Sequence, residues 1–281
     1  DRYQNDHAQL VSAATLNAVA DESVTQLSDA ERAERERKRQ FTFGIFHYQW
    51  LGKSNALVIY ADGQAYATQI GEDNKAGPIT AVTGPDQRHS GFNPSPSGQL
   101  LSYVTDGDLY ITTTTGSKRI LRVTDDANSC VTSGLPDFLA AEEMHRFQGS
   151  WWSQCEGYLI YSRNDESPVA ISHRLEIDGN GSKTVEQRYP FAGQPNPRVS
   201  LHVYDIENGT TQQIWQSEQS QLDAYLARVN SCPGGLLIQV QDRLQQTLTL
   251  RRYHFSSGSW RQLYQESSVS WIDVTGDLHP L

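Results

Sequence analysis

Short strand-like runs at nearly regular intervals are the feature of this sequence that most restricts its fold. From residue 43 onward, runs rich in Tyr, Val, Ile and Thr alternate with polar turns, and these residue types favour strands. Two of the turns are Asp62-Gly63 and Asp106-Gly107, a dipeptide typical of two-residue hairpins. The sequence therefore predicts an all-β structure built from antiparallel hairpins.

Aromatic residues mark a longer repeat within this pattern. Trp50, Phe92 and Trp152 each open a unit of strands, at intervals of 42 and 60 residues. A similar unit opens near Val229, and Trp271 begins another one 42 residues later. Four-stranded units that recur about every 40 to 50 residues are typical of a β-propeller. We therefore predict four-stranded antiparallel blades in an incomplete ring of four to five units, with an ordinary β-sandwich as the alternative.

The N-terminal region has a different pattern. Residues 28–39, "SDAERAERERKR", begin with Ser28 followed by Glu31, which is a capping box, and they contain neither Gly nor Pro. This predicts a solvated helix. We expect an N-terminal helical segment over residues 1–42 and a partial propeller domain over residues 43–281.

Composition excludes several classes of function. The formal net charge of -10 disfavours a nucleic-acid partner, because phosphates require a basic surface. No run approaches the roughly 18 apolar residues of a membrane-spanning helix. The three cysteines, Cys130, Cys155 and Cys232, are far apart and lack metal-ligand spacing. We expect neither a metal nor a cofactor.

The segment 124–150 interrupts the strands, and "PDFLAAEEMHRF" within it predicts a short helix that carries Glu142 and Glu143. The chain has five adjacent acid pairs, about as many as chance would give, so adjacency alone is uninformative. Neighbouring side chains on a strand point to opposite faces, whereas on a helical turn they can project toward one region. Two close carboxylates repel each other, and a bound primary ammonium, with three donors, would relieve that repulsion.

A second segment without strand character is "YPFAGQPNPRVSLHVYD", residues 189–205. Its three prolines, Pro190, Pro195 and Pro197, cannot lie in a central strand. They predict a rigid extended approach to the strand "RVSLHVYD".

These motifs, in this order, resemble the dipeptidyl-peptidase IV family of serine exopeptidases. The resemblance rests on "GLPDFLAAEEMHRFQGSWWS", "YSRNDESPV" and "YPFAGQPNPRVSLHVYD", and it extends from about residue 27 to the end. The run "ERERKRQFTFGI" followed by "YQW" resembles the arginine-bearing segment of the bacterial and cytosolic branches. The turns "WWSQCEG" and "WLGKS" depart from the family's usual Ser-Pro-Asp-Gly turn.

The resemblance implies roles for particular residues. Glu142 and Glu143 match the paired glutamates that hold the free N-terminal ammonium of the substrate. Arg39 matches the arginine that orients the carbonyl of the second substrate residue, with Arg37 in the same basic run as the alternative.

Four neighbours of the acid pair have supporting roles. Asp137 and Arg146 flank the pair and either position it or serve the fold. Trp151 and Trp152 belong to a blade strand, and we interpret them as packing residues.

The catalytic residues are expected elsewhere. No G-x-S-x-G nucleophile motif occurs in the sequence, and the resemblance implies an α/β-hydrolase domain after residue 281 that carries the Ser, Asp and His. This chain alone is expected to be inactive and to select substrates for release of dipeptides with proline or alanine in second position. The expected partners are peptides with a free N-terminus, the hydrolase domain of the same polypeptide and a second copy in a homodimer. The bacterial relatives favour a periplasmic or cell-envelope location.

Two other classes of function stay open from the sequence. The chain could be the propeller of a catalytically inactive relative, or a free-standing scaffold for protein interactions. The intact Glu142 and Glu143 argue against the inactive relative, because such a protein has no need of them.

Overall fold

The computed structural model describes residues 10–12, 15–16, 44–52, 54–84, 87–116, 118–178, 181–217 and 223–276. The helix predicted at residues 28–39, including Arg37 and Arg39, lies outside the described residues. Contacts divide the chain into two compact units, Asp1–Val123 and Thr124–Leu281. The domain boundary expected at residue 42 stays a prediction.

Two four-stranded antiparallel sheets form the first unit. The first sheet contains β1 (Ile45–Trp50), β2 (Ala56–Ala61), β3 (Gln64–Gln69) and β4 (Thr80–Ala81), and the second contains β5 (Ser90–Pro94), β6 (Leu100–Thr105), β7 (Asp108–Thr113) and β8 (Ile120–Arg122). In both sheets each strand pairs with the next one along the chain.

The predicted two-residue hairpins are present in both sheets. Asp62 and Gly63 have φ values of 49° and 76°, and Asp106 and Gly107 have φ values of 49° and 86°. Positive φ at both central residues gives these turns the twist that antiparallel strands require, and Asp and Gly tolerate it. Every residue of β2 is buried, as expected for an inner strand covered on both faces.

The second unit begins with β9 (Val131–Ser133) and a short helix, α1 (Phe138–Glu142). The third sheet then contains β10 (Ser150–Trp152), β11 (Tyr158–Asp165), β14 (Arg198–Asp205) and β15 (Thr210–Gln216), and the fourth contains β16 (Ala224–Cys232), β17 (Gly235–Asp242), β18 (Thr247–His254) and β19 (Ser259–Ser267). Strand β9 pairs with β11. Between β11 and β14, β12 (Ile171–Asp178) and β13 (Gly181–Arg188) form a separate hairpin, here called the arm.

The third and fourth sheets share one hydrophobic core. Trp151, Ile160 and Leu201 of the third sheet pack in one cluster with Leu236 and Ile238 of the fourth. Their side chains are at most 6% exposed, so this core fixes the two sheets against each other. The elements that extend from these sheets therefore have a rigid base.

The prediction of propeller blades is confirmed. Trp50, Phe92, Trp152 and Val229 lie on β1, β5, β10 and β16, the first strands of the four rows of four paired strands. Trp271 lies outside any strand, and the described residues 268–276 contain none. The sequence did not predict the arm, which lengthens the interval between the third and fourth repeats.

Candidate functional site

Helix α1 projects from the strand framework with its alanines facing inward. Asp137 caps its N-terminus by accepting a hydrogen bond from the backbone nitrogen of Ala140 at 3.1 Å. Ala140 and Ala141 are 2% and 3% exposed, and their small side chains let the helix backbone lie close to the protein. The opposite side of α1 is therefore the one turned toward solvent.

Glu142 and Glu143 lie at the C-terminal end of this helix. Glu142 is its last residue and Glu143 is the C-cap, with φ -100° and ψ -28°. Glu142 is partly buried and Glu143 is exposed. Consecutive helical residues point about 100° apart, and both acids are more exposed than the two buried alanines. Two carboxylates at the negative end of a helix make a region of negative potential that suits a cation.

A buried ion pair holds the base of this helix. The Arg146 guanidinium lies 3.3 Å from the Asp137 carboxylate, and these side chains are 4% and 7% exposed. Arg146 also donates to the backbone oxygens of Leu226 at 3.1 Å and Gln148 at 2.8 Å. Burial lowers the pKa of Arg146, and the negative charge of Asp137 acts in the opposite direction. Asp137 therefore both caps the helix and compensates a buried cation.

Trp151 contacts the arginine that anchors α1. The Arg146 guanidinium lies 5.7 Å from the centre of the Trp151 ring, within the range of a cation–π contact. Trp151 and Trp152 are 6% and 5% exposed, and Trp151 belongs to the core of the second unit. Trp151 thus packs against the arginine that anchors α1, and neither ring offers an open face to a ligand.

A tight turn returns the chain to the sheet after α1. His145 has a φ of 53°, a left-handed conformation that His adopts more readily than most residues other than Gly. This turn lets the backbone nitrogen of Arg146 donate to the oxygen of Ala140 at 2.8 Å. Met144, between the turn and the acid pair, is only 7% exposed. The backbone after Glu143 is therefore fixed by the burial of Met144 and by the hydrogen bond between Arg146 and Ala140.

Arg228 of β16 also reaches this turn. It donates to the backbone oxygen of Met144 at 2.7 Å, although it lies 84 residues away in the sequence. A role for Arg228 was not predicted from the sequence. Its only signal in the sequence is the doublet Leu226-Ala227, which interrupts the alternation expected of a half-buried strand.

The proline-rich segment before β14 packs against the N-terminal end of α1. The rings of Phe138 and Tyr189 lie 5.3 Å apart, and those of Tyr189 and Phe191 lie 4.8 Å apart. Strand β14 begins directly after Pro197, as predicted. A cavity of about 20 Å³ lies under α1, lined in part by Asn196 and Tyr225. It has room for about one water, so it is too small to hold a larger ligand.

Two other kinds of site, a metal centre and a membrane-spanning helix, were sought within the part of the chain that the structure describes. No group of three or more His, Cys, Asp or Glu side chains is arranged there to hold a metal ion. None of the helices described there is long and apolar enough to cross a membrane. The candidate site is the acid pair with the two arginines, Arg146 and Arg228, that hold the segment around it.

Of the predicted site residues, the structure places four together. Glu142, Glu143, Asp137 and Arg146 lie on or beside α1, with Asp137 and Arg146 in direct contact. Arg39 lies outside the described residues, so its position relative to the acid pair stays a prediction.

Comparison with known proteins gives a consistent family. Residues 59–281 match the family model described as the dipeptidyl peptidase IV N-terminal region. Dipeptidyl aminopeptidase B of Saccharomyces cerevisiae is 32% identical over 122 residues, which are 42% of this chain and 15% of that protein. A probable dipeptidyl-aminopeptidase B of Chaetomium globosum is 27% identical over 215 residues, 65% of this chain and 23% of that protein. The chain thus spans less than a quarter of these relatives.

A solved structure shows the same fold. The crystal structure of Porphyromonas gingivalis dipeptidyl peptidase 4 superposes with a TM-score of 0.71 at 21% identity. The match covers 85% of this chain and 35% of that one. A structure of a putative dipeptidyl aminopeptidase IV from Bacteroides ovatus has a TM-score of 0.63 at 16% identity and covers 94% of this chain and 34% of that chain.

Proposed function

Because this chain belongs to the family of dipeptidyl peptidase IV N-terminal regions, we propose that it selects substrates for a serine exopeptidase. The full-length enzyme releases dipeptides from the N-termini of peptides, with proline or alanine in second position. The observation that carries the proposal is the acid pair on the outward side of α1, held from beneath by a buried ion pair.

In this proposal the two carboxylates bind the N-terminal ammonium of the substrate and so set the position of the peptide. A peptide N-terminal ammonium has a pKa of about 8 and is mostly charged at neutral pH. Its three N–H donors can each bond a carboxylate oxygen of Glu142 or Glu143. A peptide held by its ammonium places the bond after its second residue at a fixed distance from α1. A blocked or missing amine loses those bonds, which gives selectivity for free N-termini.

The remaining roles in the proposal belong to residues outside the described site. Arg39 orients the carbonyl of the second substrate residue. The nucleophile, base and oxyanion hole belong to a hydrolase domain of the same polypeptide, because acyl transfer needs all three. A homodimer is a further part of the proposal.

The test is the loss of either carboxylate in the full-length enzyme. Glu142→Ala and Glu143→Ala should each lower kcat/KM for a free-amine substrate by about ten- to a hundred-fold, because a hydrogen bond to a charged group contributes about 1.5–3 kcal/mol. Glu207→Ala is the matched control, since it removes an exposed acid from the turn between β14 and β15 and should change the rate by less than about twofold. If Glu143→Ala behaves like the control, Glu143 does not anchor the amine.

A further inference from the structure

A β-bulge on the fourth sheet determines where Arg228 points. In β16 the pairing with β17 shifts between Leu226 and Arg228, which leaves Ala227 without a partner in the ladder. A bulge bends its strand and changes the direction of the next side chain. Here it brings the Arg228 guanidinium to the turn that follows the acid pair.

The guanidinium connects three backbone segments. One terminal nitrogen donates to the oxygens of Met144 and Ala227, at 2.7 Å each, and the other donates to the oxygen of Val274 at 3.5 Å. Arg228 is partly buried, and burial lowers its pKa. Its rigid planar fork thereby fixes the turn relative to the fourth sheet.

A second arginine, Arg146 of the segment after α1, also bonds to β16 beside this bulge. The Nε of Arg146 donates to the oxygen of Leu226, the residue immediately before the bulge. Two hydrogen bonds thus attach the segment after α1 to β16. Arg146 of the segment donates to Leu226 of the strand, and Arg228 of the strand donates to Met144 of the segment. Arg146 also serves the buried ion pair, whereas Arg228 bonds only backbone oxygens among its described contacts, and one of them, that of Met144, ends the acid-bearing segment.

We propose that Arg228 is a positioning residue that fixes Glu143 for contact with the substrate ammonium. One of its bonds is to the carbonyl of Met144, the residue next to Glu143. Loss of this bond removes one of the contacts that hold the peptide after Glu143, so the exposed Glu143 side chain can shift. The inference rests on the proposed function and adds to it a residue on a different sheet.

The experiment is a double-mutant cycle in the full-length enzyme, with Arg228→Gln and Glu143→Gln on a free-amine dipeptide substrate. Arg228→Gln alone should lower kcat/KM by about tenfold, and in the Glu143→Gln background by less than about twofold, because both changes remove one interaction. Activity on the N-acetylated substrate should stay within about twofold of wild type, whereas a merely structural defect would lower activity on both substrates.

Arg252→Gln is the matched control. Arg252 also lies on the fourth sheet and donates to a backbone oxygen, that of Pro233 at 2.8 Å, in the turn between β16 and β17. Its replacement should leave both substrates within about twofold of wild type.

Arg228→Lys tests whether the geometry of the guanidinium matters in addition to its charge. It also replaces Arg228→Gln in the experiment if that variant does not fold. Lysine keeps the charge and loses the fork, so about a threefold loss on the free-amine substrate is expected. Wild-type activity of Arg228→Lys would overturn the positioning role. The role would also be overturned if Arg228→Gln lowered kcat/KM as much in the Glu143→Gln background as in the wild type. If Arg228→Gln does not fold, the same criterion applies to Arg228→Lys. If Glu143→Gln itself has no effect, the amine-anchor function fails and the inference fails with it.

Discussion

The third sheet carries two insertions that are held in opposite ways. The first, residues 134–149 with α1, is attached to the sheets by the buried Asp137–Arg146 pair and by Arg228 of the neighbouring sheet. The second is the arm, whose two strands pair with each other over eight residues each and form a sheet of their own. The ion pair of the first insertion is buried, whereas the ion pairs of the arm lie near solvent.

The side chains of the arm show the contrast most clearly. Leu175 and Ile177 are 62% and 76% exposed, whereas Ala140 and Met144 of the first insertion are at most 7% exposed. A residue that must hold a substrate group needs a backbone fixed by packing and hydrogen bonds. The acid pair therefore lies on a segment that is fixed by buried contacts. The hairpin of the arm has no comparable buried contacts among its own described side chains.

The largest expected effect comes from breaking the buried pair. Asp137→Ala leaves Arg146 as an uncompensated buried cation and removes the cap of α1, so the free energy of unfolding should fall by about 3–5 kcal/mol. Urea unfolding followed by tryptophan fluorescence measures this. Asp126→Ala is the control, because it breaks the more exposed pair of Asp126 with Arg163, and its cost should stay below about 1 kcal/mol. Equal losses in the free energy of unfolding for the two variants would refute the difference between the buried pair and the more exposed one.

A small effect is expected in the arm. The Glu176 carboxylate lies 2.9 Å from Arg174 and 3.2 Å from Lys183, and the two cationic side chains are 47% and 54% exposed. Glu176→Gln should therefore lower the free energy of unfolding by less than about 1 kcal/mol and leave kcat/KM unchanged. The same urea titration and rate assay measure both quantities. A loss above about 2 kcal/mol would mean that the arm is held as firmly as α1.

The sequence allowed the repeating parts of this fold to be predicted. Strand composition, the Asp-Gly turns and the spacing of Trp50, Phe92 and Trp152 depend on local preferences, and the structure has the blades they indicate. The arm was not predicted, because its strands "ISHRLEID" and "GSKTVEQR" are largely polar and have no buried face to impose an alternating pattern.

The candidate site was only partly predictable for a different reason. The helix with Glu142 and Glu143 is a local feature, and a non-alternating run after a proline indicated it. The contact of Arg228 with Met144 is a tertiary one, set by the bulge in β16, and no local preference encodes where a strand from another sheet will meet a turn. The Asp137–Arg146 pair lies between these cases, since its two members were noted as neighbours of the acids but their burial was not predictable.

The central claim is that Glu143 binds the substrate ammonium, and a two-by-two comparison tests it most directly. Wild-type and Glu143→Ala full-length enzymes are assayed on one dipeptide substrate with a free amine and on its N-acetylated form. Acetylation removes the cation, so the two enzymes should be similarly poor on the acetylated substrate and differ by about ten- to a hundred-fold on the free amine. The same ratio of wild type to variant on both substrates would contradict the claim.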